Sequence, residues 1–335
     1  MILVTGSAGH LGEALMRTLR DAGRDAVGLD IAPSPFTDIV ADIADRDAAR
    51  DAIEGVDAVL HAATLHKPHV ATHSRRQFVD TNIIGTLNLL EEAAANRVGA
   101  FVFTSTTSAF GAAMTPPEGA PAAWIDESVV PVPKNIYGVT KTAAEDLCAL
   151  FHRRFGLPAV VLRTSRFFPE IDDDPEIRAA FEDANVKANE FLFRRVEIED
   201  VVSAHLCALD RAGTIGFGKY VVSATTPFRR EDAPALRRDA PGVVRARVPR
   251  YEEVYAARGW RMFPSIGRVY DNARARRDLG WSPRWDFAAV LDALAEGREP
   301  RSGLARAIGA KGYHDEVFED GPFPVEPARE ISPRR

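Results

Sequence analysis

Short apolar runs alternate with amphipathic segments along the first half of the chain. The apolar runs predict strands at residues 2–5, 26–30, 58–61, 100–104 and 159–162. Helical spacing is clear between them: Leu11, Leu15 and Leu19 share one face, and longer helical patterns cover about 75–95 and 136–155. Strands that alternate with helices predict an α/β protein whose parallel sheet is covered on both faces.

The alternation loosens past residue 165. The acidic stretch EIDDDPE (170–176) precedes a helical pattern that continues to about residue 190. A second helix is predicted after Asp200, which we interpret as its N-cap, and a strand is predicted at 220–223. No linker separates the two halves. We therefore expect residues 1–165 and a returning segment at 194–225 to form the main domain, and 166–193 with 226–297 to form a small C-terminal substrate-binding lobe. Residues 298–335 have little apolar periodicity, which predicts a surface tail that is disordered in part.

Composition narrows the classes of partner. The chain has 42 Lys and Arg against 48 Asp and Glu, a formal net charge of -6, and this balance disfavours nucleic acid and acidic membranes as partners. Cys148 and Cys207 both lie in helical patterns, which indicates core packing and a reducing compartment. No apolar stretch reaches the ~20 residues of a membrane span, and the opening MILVTG lacks a leader pattern, so a cytoplasmic location is expected.

Three glycines separate the first strand from the first helix. Gly6, Gly9 and Gly12 lie in LVTGSAGHLG, where missing side chains allow a tight turn and let a pyrophosphate approach the amides at the helix start, around His10 and Leu11. A glycine-rich turn without a ligand is the alternative. The position between strand and helix favours a dinucleotide site and a Rossmann-type doubly wound parallel sheet.

The end of the second strand bears on which dinucleotide is bound. Asp30 can accept hydrogen bonds from the adenosine ribose hydroxyls and would repel a 2′-phosphate. Its neighbours Ile31 and Ala32 carry no positive charge. NAD is therefore predicted over NADP, with an ordinary strand-end carboxylate as the alternative.

A tyrosine and a lysine are spaced for proton transfer in YGVTK. Tyr137 and Lys141 are four residues apart in a helical pattern and so share one face. An ammonium beside a phenol favours the phenolate and is expected to lower the Tyr137 pKa. Such pairs also occur on solvated helices, and the preceding dinucleotide pattern favours catalysis here.

Together these motifs resemble the extended short-chain dehydrogenase/reductases, in particular the NAD-dependent epimerase/dehydratase family. The resemblance is carried by the glycine spacing and, in order, by "DI" at 42–43, "HAA" at 61–63, "TNIIGTLNLLEEA" at 81–93, "FVFTSTTSAFG" at 101–111, "IDESVVPVPKNIYGVTK" at 125–141 and "ARRDLGWSP" at 275–283. It covers residues 1 to about 165 strongly and resumes from about 194 to 290.

The resemblance implies a role for individual residues. Thr106 is at the catalytic Ser/Thr position, Tyr137 is the acid/base, and Lys141 holds the nicotinamide ribose. Around the cofactor, the implied contacts are Asp42 and Ile43 at the adenine, Ala62, Ala63 and Thr64 along the cofactor channel, and Asn82 near the nicotinamide. The family also implies a homodimer formed by the helices at 75–95 and 136–155.

The hydroxyl-rich segment after the fifth predicted strand contains further candidates. Ser105 and Thr107 flank Thr106 as substrate contacts, whereas Thr104 and Ser108 are interpreted as local caps. Family 4,6-dehydratases carry an Asp-Glu pair after the catalytic Thr, and this chain has Thr107-Ser108 instead. The acid and base of dehydration are therefore missing.

Arginines suggest an anionic substrate. Arg166 follows "LR" where nucleotide-sugar enzymes have an Asn, and it indicates a carboxylate or phosphate contact, with an ion pair to the acidic stretch as the alternative. Arg195 replaces the Asp of the family's usual Arg-Asp, and Arg261 stands where those enzymes place a diphosphate-binding Arg. The eight histidines show no metal-ligand spacing, so no metal is expected.

Two catalytic hypotheses and one non-catalytic hypothesis follow. The favoured one is an NAD-dependent epimerase of a nucleotide sugar or related anionic sugar, which oxidises the sugar transiently to a ketone and returns the hydride to the other face. The alternative is a sugar or sugar-acid dehydrogenase that releases NADH. The third is an NAD-binding sensor or scaffold, which the presence of both Tyr137 and Lys141 disfavours.

Overall fold

A seven-stranded parallel sheet forms the centre of the protein. The computed structural model describes residues 1–312 and, beyond them, His314, Phe318, Gly321 and Phe323. The strands, named in chain order, are β1 (Ile2–Thr5), β2 (Ala26–Asp30), β3 (Ile39–Val40), β4 (Ala58–His61), β5 (Ala100–Thr106), β6 (Ala123–Ile125), β7 (Ala159–Thr164), β8 (Phe217–Val222) and β9 (Arg268–Tyr270). The large sheet has the order β3-β2-β1-β4-β5-β7-β8, and β6 pairs with β9 in a separate two-stranded sheet.

Helices cover both faces of the large sheet. They are α1 (His10–Asp21), α2 (Arg46–Ile53), α3 (Arg75–Val79), α4 (Gly85–Ala95), α5 (Ile136–Phe155), α6 (Pro175–Ala180), α7 (Asp183–Glu190), α8 (Ile198–Ile215), α9 (Ala233–Leu236), α10 (Ala240–Arg247), α11 (Tyr251–Ala256), α12 (Ala273–Leu279), α13 (Phe287–Ala295) and α14 (Gly303–Ile308). One core packs α1, α8 and α12 on one face of the sheet, and another packs α2, α4 and α5 on the opposite face. The predicted doubly wound Rossmann-type fold is confirmed.

Strand order reverses between β1 and β4, since β2 and β3 lie on one side of β1 and the later strands on the other. The register is continuous across this point, with Leu3 opposite Val27 on β2 and Val59 on β4. Ligands of open α/β sheets bind at the carboxyl ends of the strands at such a reversal. The glycine turn follows β1 and lies at this position.

A separate apolar core lies in the C-terminal part of the chain. It contains residues of α7, α9, α10, α11 and α13, together with β9. Most of these residues lie in the segments predicted to form the small lobe, and the division into domains stays a prediction. Within the predicted tail, Leu304, Ala305 and Ile308 of α14 pack against the core beneath α1 and α8. The tail prediction beyond residue 312 falls outside the described residues apart from the four named above.

One predicted cap is wrong. Asp200 lies inside α8, whose N-cap is Glu197. The Asp200 carboxylate instead accepts the amides of Arg284 and Trp285, at 2.8 and 2.9 Å. Asp200 therefore joins α8 to the segment that precedes α13.

Candidate active site

A large cavity opens at the carboxyl ends of β1, β2, β4, β5 and β7. Its volume is about 1010 Å³. Most of the residues that the sequence assigned to the cofactor line it: Gly6, Gly9, His10, Leu11, Gly12, Asp30, Asp42, Ile43, Ala62, Ala63 and Thr64. Thr106 and Tyr137 line it as well, so this cavity brings the dinucleotide pattern and the proton-transfer residues together.

The glycine turn has the shape that a pyrophosphate requires. Gly6 has a φ of +74°, and a Cβ there would lie 2.7 Å from the Ala63 amide nitrogen. A Cβ on Gly12 would lie 1.9 Å from the Gly6 carbonyl oxygen, so both positions require glycine. Gly9 is the N-cap of α1 and no side chain caps this helix, which leaves its first turn open to an anionic ligand. The turn fits a dinucleotide.

Asp30 is fixed at the cavity edge by two amides. Its Oδ2 accepts the Ala8 N–H at 3.0 Å and its Oδ1 accepts the Ala32 N–H at 2.9 Å. The next residue, Ile31, is 71% exposed and offers no charge to a 2′-phosphate. The carboxylate is therefore held where it can discriminate between the two dinucleotides.

We predict that NAD binds at least about tenfold more tightly than NADP, a difference of ~1.4 kcal/mol. The reason is repulsion between the Asp30 carboxylate and the 2′-phosphate. Titration calorimetry with both cofactors measures it, and Asp30→Ala should narrow the gap whereas Asp38→Ala, on the adjoining loop, should leave it unchanged. Equal affinities in the unmodified protein would contradict the role of Asp30.

The loop that contains Asp42 and Ile43, which are predicted to contact the adenine, packs against α4. Asn88 on α4 donates from its amide nitrogen to the carbonyl oxygens of Ile43 and Ala44, at 3.0 and 3.1 Å. A Cβ on Gly85 would meet the Ile43 side chain at 2.6 Å. Helix α4 therefore packs tightly against this loop and sets its distance from the cavity.

Asn82 has a positioning role in this structure. It lies in a π-helical turn at Asp80–Ile84 and is buried. Its side chain accepts the Thr64 hydroxyl at 3.0 Å and the Leu65 amide at 2.9 Å, and donates to the Thr140 hydroxyl at 3.0 Å. Asn82 thus ties the segment after β4 to α5, beside Lys141.

The three catalytic candidates lie on two elements. Thr106 ends β5, and its hydroxyl oxygen accepts the Ser108 amide at 3.0 Å. Tyr137 and Lys141 lie in the first two turns of α5, which Asn135 caps by accepting the Gly138 amide. Lys141 is 2% exposed and its ammonium nitrogen lies 4.0 Å from the centre of the Phe103 ring, so it stands behind Tyr137 and does not line the cavity.

The pKa values of this pair differ from the sequence expectation. Burial raises the pKa of Tyr137 to about 12, and the hydrogen bond with Thr106 opposes this shift. Burial also lowers the pKa of Lys141 to about 7, and the negative charge of Glu145 opposes that shift. The prediction of a lowered Tyr137 pKa is therefore wrong for this structure, because desolvation outweighs the other influences on the phenol.

Sequence reasoning missed a buried charge network beside Tyr137 and Lys141. Glu145, one turn beyond Lys141, accepts two hydrogen bonds from Arg163, at 2.9 and 2.6 Å, and lies 3.0 Å from the Lys219 ammonium. The Ser105 hydroxyl donates to the same carboxylate at 2.6 Å. Ser105 lines the cavity but is engaged with Glu145, whereas Thr107 lines it beside Thr106. The continued i, i+4 spacing from Tyr137 and Lys141 to Glu145 was the available signal.

The two hydroxyl residues predicted as caps, Thr104 and Ser108, both line the cavity. The Thr104 hydroxyl contacts His205 Nε2 on α8 at 2.8 Å, so Thr104 joins β5 to a helix and caps nothing. The cap interpretation of Thr104 is therefore wrong.

The three arginines assigned to substrate lie in different surroundings. Arg166 lines the cavity, but its guanidinium donates to Asp172 at 3.2 Å and to the Ile171 carbonyl at 2.9 Å, which is the ion-pair alternative. Arg195 is buried and donates to Glu190 at 2.6 Å. Arg261 is exposed and donates to the Ala180 carbonyl. Neither Arg195 nor Arg261 lines the cavity.

Histidines also surround the cavity. The cavity is lined by His10, His66, His69, His73 and His314. Burial and the neighbouring cationic groups hold the pKa of His66 well below its usual value, so its ring is neutral near pH 7. In the part of the chain that the structure describes, no group of three or more His, Cys, Asp or Glu side chains could hold a metal ion.

Comparison with known proteins agrees with this geometry. Residues 2–222 match the NAD-dependent epimerase/dehydratase family. The chain belongs to this family. The resemblance inferred from the motifs is thereby confirmed, and NAD is the cofactor of the family.

Individual relatives differ in activity. The chain is similar to a UDP-glucose 4-epimerase of Rhizobium meliloti, with 27% identity over 87% of this chain and 94% of the relative. It is also similar to a uronate dehydrogenase of Pseudomonas syringae pv. tomato, with 29% identity over 50% of this chain and 60% of the relative. For two further curated relatives, the region that matches this chain covers only about half of the relative's own length, 54% and 55%.

A solved structure matches almost the whole chain. It is a short-chain dehydrogenase/reductase superfamily protein of Agrobacterium tumefaciens with bound NAD, 27% identical, with a TM-score of 0.64 over 92% of this chain and 99% of that one. Among the helices that the structure describes, none is long and apolar enough to cross a bilayer.

Proposed function

We propose that this protein oxidises a hydroxyl group of a small sugar or sugar acid with NAD and releases NADH. NAD, when bound, accepts the hydride from the sugar carbon. The Thr106 hydroxyl and Tyr137, which share a hydrogen bond at the cavity wall, hold the reacting oxygen. Tyr137 first loses its own proton to solvent, and its phenolate then accepts the proton of the sugar hydroxyl. Lys141 lies behind Tyr137, and the Glu145 carboxylate favours the ammonium form of Lys141, whose positive charge would stabilise the phenolate.

The placement of the arginines carries the choice of a dehydrogenase over an epimerase. An epimerase must turn its keto intermediate over, so that hydride returns to the opposite face while another part of the substrate stays bound. In nucleotide-sugar enzymes the diphosphate is such an anchor. The two arginines that the sequence assigned to that anchor, Arg195 and Arg261, lie outside the cavity. A sugar without a nucleotide, held by its own substituents close to the reacting carbon, has no distant anchor about which it could turn over, which supports a dehydrogenase.

The relatives support the same chemistry at a coarser level. A uronate dehydrogenase and a sugar-nucleotide epimerase both match this chain, and both act on sugars.

Dehydration is disfavoured because Thr107 and Ser108 occupy the positions of the dehydratase acid and base.

We predict that turnover of the true substrate produces NADH in a 1:1 ratio to the oxidised sugar. The measurement is absorbance at ~340 nm together with product analysis by mass and NMR, over a panel of free sugars, uronates, sugar phosphates and nucleotide sugars. Product of unchanged mass without net NADH would establish an epimerase and contradict the proposal. NAD binding without turnover of any member of the panel would favour the sensor or scaffold hypothesis.

We further propose that the protein assembles as a homodimer through α4 and α5. These helices leave Val139 49% and Leu150 39% exposed, and Ile84, which precedes α4, is 38% exposed. Exposed aliphatic side chains grouped on adjacent helices are typical of a subunit interface. Analytical ultracentrifugation of the unmodified protein and of Val139→Glu tests this, and a monomer in both cases would contradict it.

A further inference from the structure

One cationic side chain of the cavity differs from the other arginines there. Arg268, the first residue of β9, lines the cavity, and its Nε is buried without a hydrogen-bond partner. Within the described residues, its guanidinium has no ion pair and no hydrogen bond, and it lies 5.9 Å from the centre of the Tyr270 ring. A buried guanidinium N–H without an acceptor is unfavourable, so this side chain is available to an acceptor that a ligand supplies.

Four of the other lysine and arginine side chains that line the cavity form ion pairs with carboxylates. Carboxylates pair with each of these: Lys67 with Asp173, Arg166 with Asp172, Arg194 with Glu190, and Lys311 with Glu13. Only Lys134 resembles Arg268, because it is exposed at the rim and donates to the Thr115 hydroxyl at 3.0 Å. Arg268 and Lys134 are therefore the lysine and arginine side chains of the described cavity wall that have no carboxylate partner.

Strand β9 places Arg268 on the catalytic side of the cavity. Val269 points into the core of the small lobe, so Arg268 and Tyr270 share the opposite face of the strand. The Tyr270 hydroxyl donates to Met114 Sδ at 3.1 Å, and Met114 ends the short helical segment that follows Thr106 through Gly111. The strand therefore contacts the segment that begins at the catalytic threonine.

Four acidic residues line the cavity, and none of these four forms an ion pair with Arg268. The acidic residues of the cavity wall are Asp30 and Asp42, on the adenosine side, and Glu170 and Asp173, which contact His10 and Lys67. An anion beside Arg268 would therefore meet a guanidinium that no carboxylate of the described residues neutralises in an ion pair.

We propose that Arg268, with Lys134 at the rim, binds the anionic group of the substrate, a carboxylate or phosphate carried by the sugar that is oxidised. This inference rests on the proposed function, since it names the substrate class of the same cavity. A guanidinium offers a fork of donors that matches two oxygens of either group. Arg268 is a binding residue, so its loss acts chiefly on KM.

The test compares charged and neutral forms of one sugar. We expect the unmodified enzyme to prefer a uronate or a sugar 6-phosphate to the parent sugar, and Arg268→Ala to reduce the ratio of kcat/KM for anionic to neutral sugar by about tenfold or more. Arg268→Lys should retain part of the preference. Arg245→Ala, which removes an exposed arginine paired with Glu252 in the same lobe, should not change the ratio. Comparison of uronate with sugar phosphate distinguishes the two anion sources.

A binding measurement separates this inference from the proposed function. Titration calorimetry with uronate, sugar phosphate and neutral sugar, in the presence of NADH, requires no turnover. Anion binding that is weakened about tenfold in Arg268→Ala while no sugar yields NADH would keep the inference and remove the dehydrogenase. Two outcomes would overturn the inference and keep the dehydrogenase. In one, the enzyme produces NADH equally well from anionic and neutral sugars. In the other, folded Arg268→Ala keeps the same ratio of kcat/KM for anionic to neutral sugar as the unmodified enzyme.

Discussion

Replacing Tyr137 by Phe is expected to lower kcat by a factor of about 100 or more, while NAD binding and the fold persist. The substitution removes the hydroxyl that takes the substrate proton and keeps the ring that packs at the start of α5. Burial raises the pKa of Tyr137 to about 12, so proton transfer depends on the neighbouring groups, among them Thr106, which shares a hydrogen bond with the phenol. Steady-state rates and NAD titration on the same preparation measure both effects.

Tyr251→Phe is the matched control. Its hydroxyl donates to the Pro241 carbonyl in the small lobe, away from the cavity, so turnover should stay near that of the unmodified protein. If Tyr137→Phe retained most of the activity on the true substrate, the proton-transfer role of Tyr137 would be wrong.

The sheet could be predicted from the sequence because buried parallel strands are short apolar runs. Three of the six predicted strands have the observed limits, the strand predicted at 220–223 is Phe217–Val222, and α5 spans the predicted 136–155. β5 and β7 continue two residues further than predicted, through pairs such as Ser105 with Arg163 and Thr106 with Thr164. Apolar patterning ends where these polar pairs begin. Their side chains are kept in the sheet by hydrogen bonds, including that from Ser105 to Glu145, which a one-dimensional pattern does not contain.

Helix irregularities escaped prediction for a similar reason. The apolar spacing over 75–95 predicts one helix, whereas the structure inserts a π-helical turn at Asp80–Ile84 between α3 and α4. That turn contains Asn82, whose side chain contacts Leu65 and Thr140. The wider turn accommodates a side chain that joins two other segments, and residues distant in sequence set this requirement.

The cofactor end was more predictable than the substrate end. The tight turn at Gly6 and the start of α1, which no side chain caps, are local features. The spacing of the glycines in the sequence is therefore sufficient to predict them. An arginine's role depends on the carboxylates that fold against it. Arg166 could not be assigned before the structure placed Asp172 beside it, and Arg268 lies in a three-residue strand with no pattern of its own.

Replacing Arg163 by Met is expected to lower the free energy of unfolding by about 3–5 kcal/mol, because it leaves Glu145 as a buried charge without its main partner. Glu145 is fully buried and Arg163 is 2% exposed. The two hydrogen bonds between them are charge-assisted, and Arg163 also lies 4.7 Å from the centre of the Phe110 ring. The Lys219 ammonium lies 3.0 Å from the Glu145 carboxylate and still compensates part of its charge in the variant. We therefore expect a loss of stability near the lower end of this range.

Urea unfolding followed by circular dichroism measures this loss, with two companion variants. Arg245→Met breaks an exposed pair with Glu252 and should cost under about 1 kcal/mol. The double variant Glu145→Leu with Arg163→Met removes both charges and should recover part of the stability. It should also lower the pKa of Lys141 further, since Glu145 is the main group that raises it, and so leave a folded protein with a weakened catalytic pair. If Arg163→Met were as stable as the unmodified protein, the charge network around Glu145 would not stabilise the fold beside Tyr137 and Lys141.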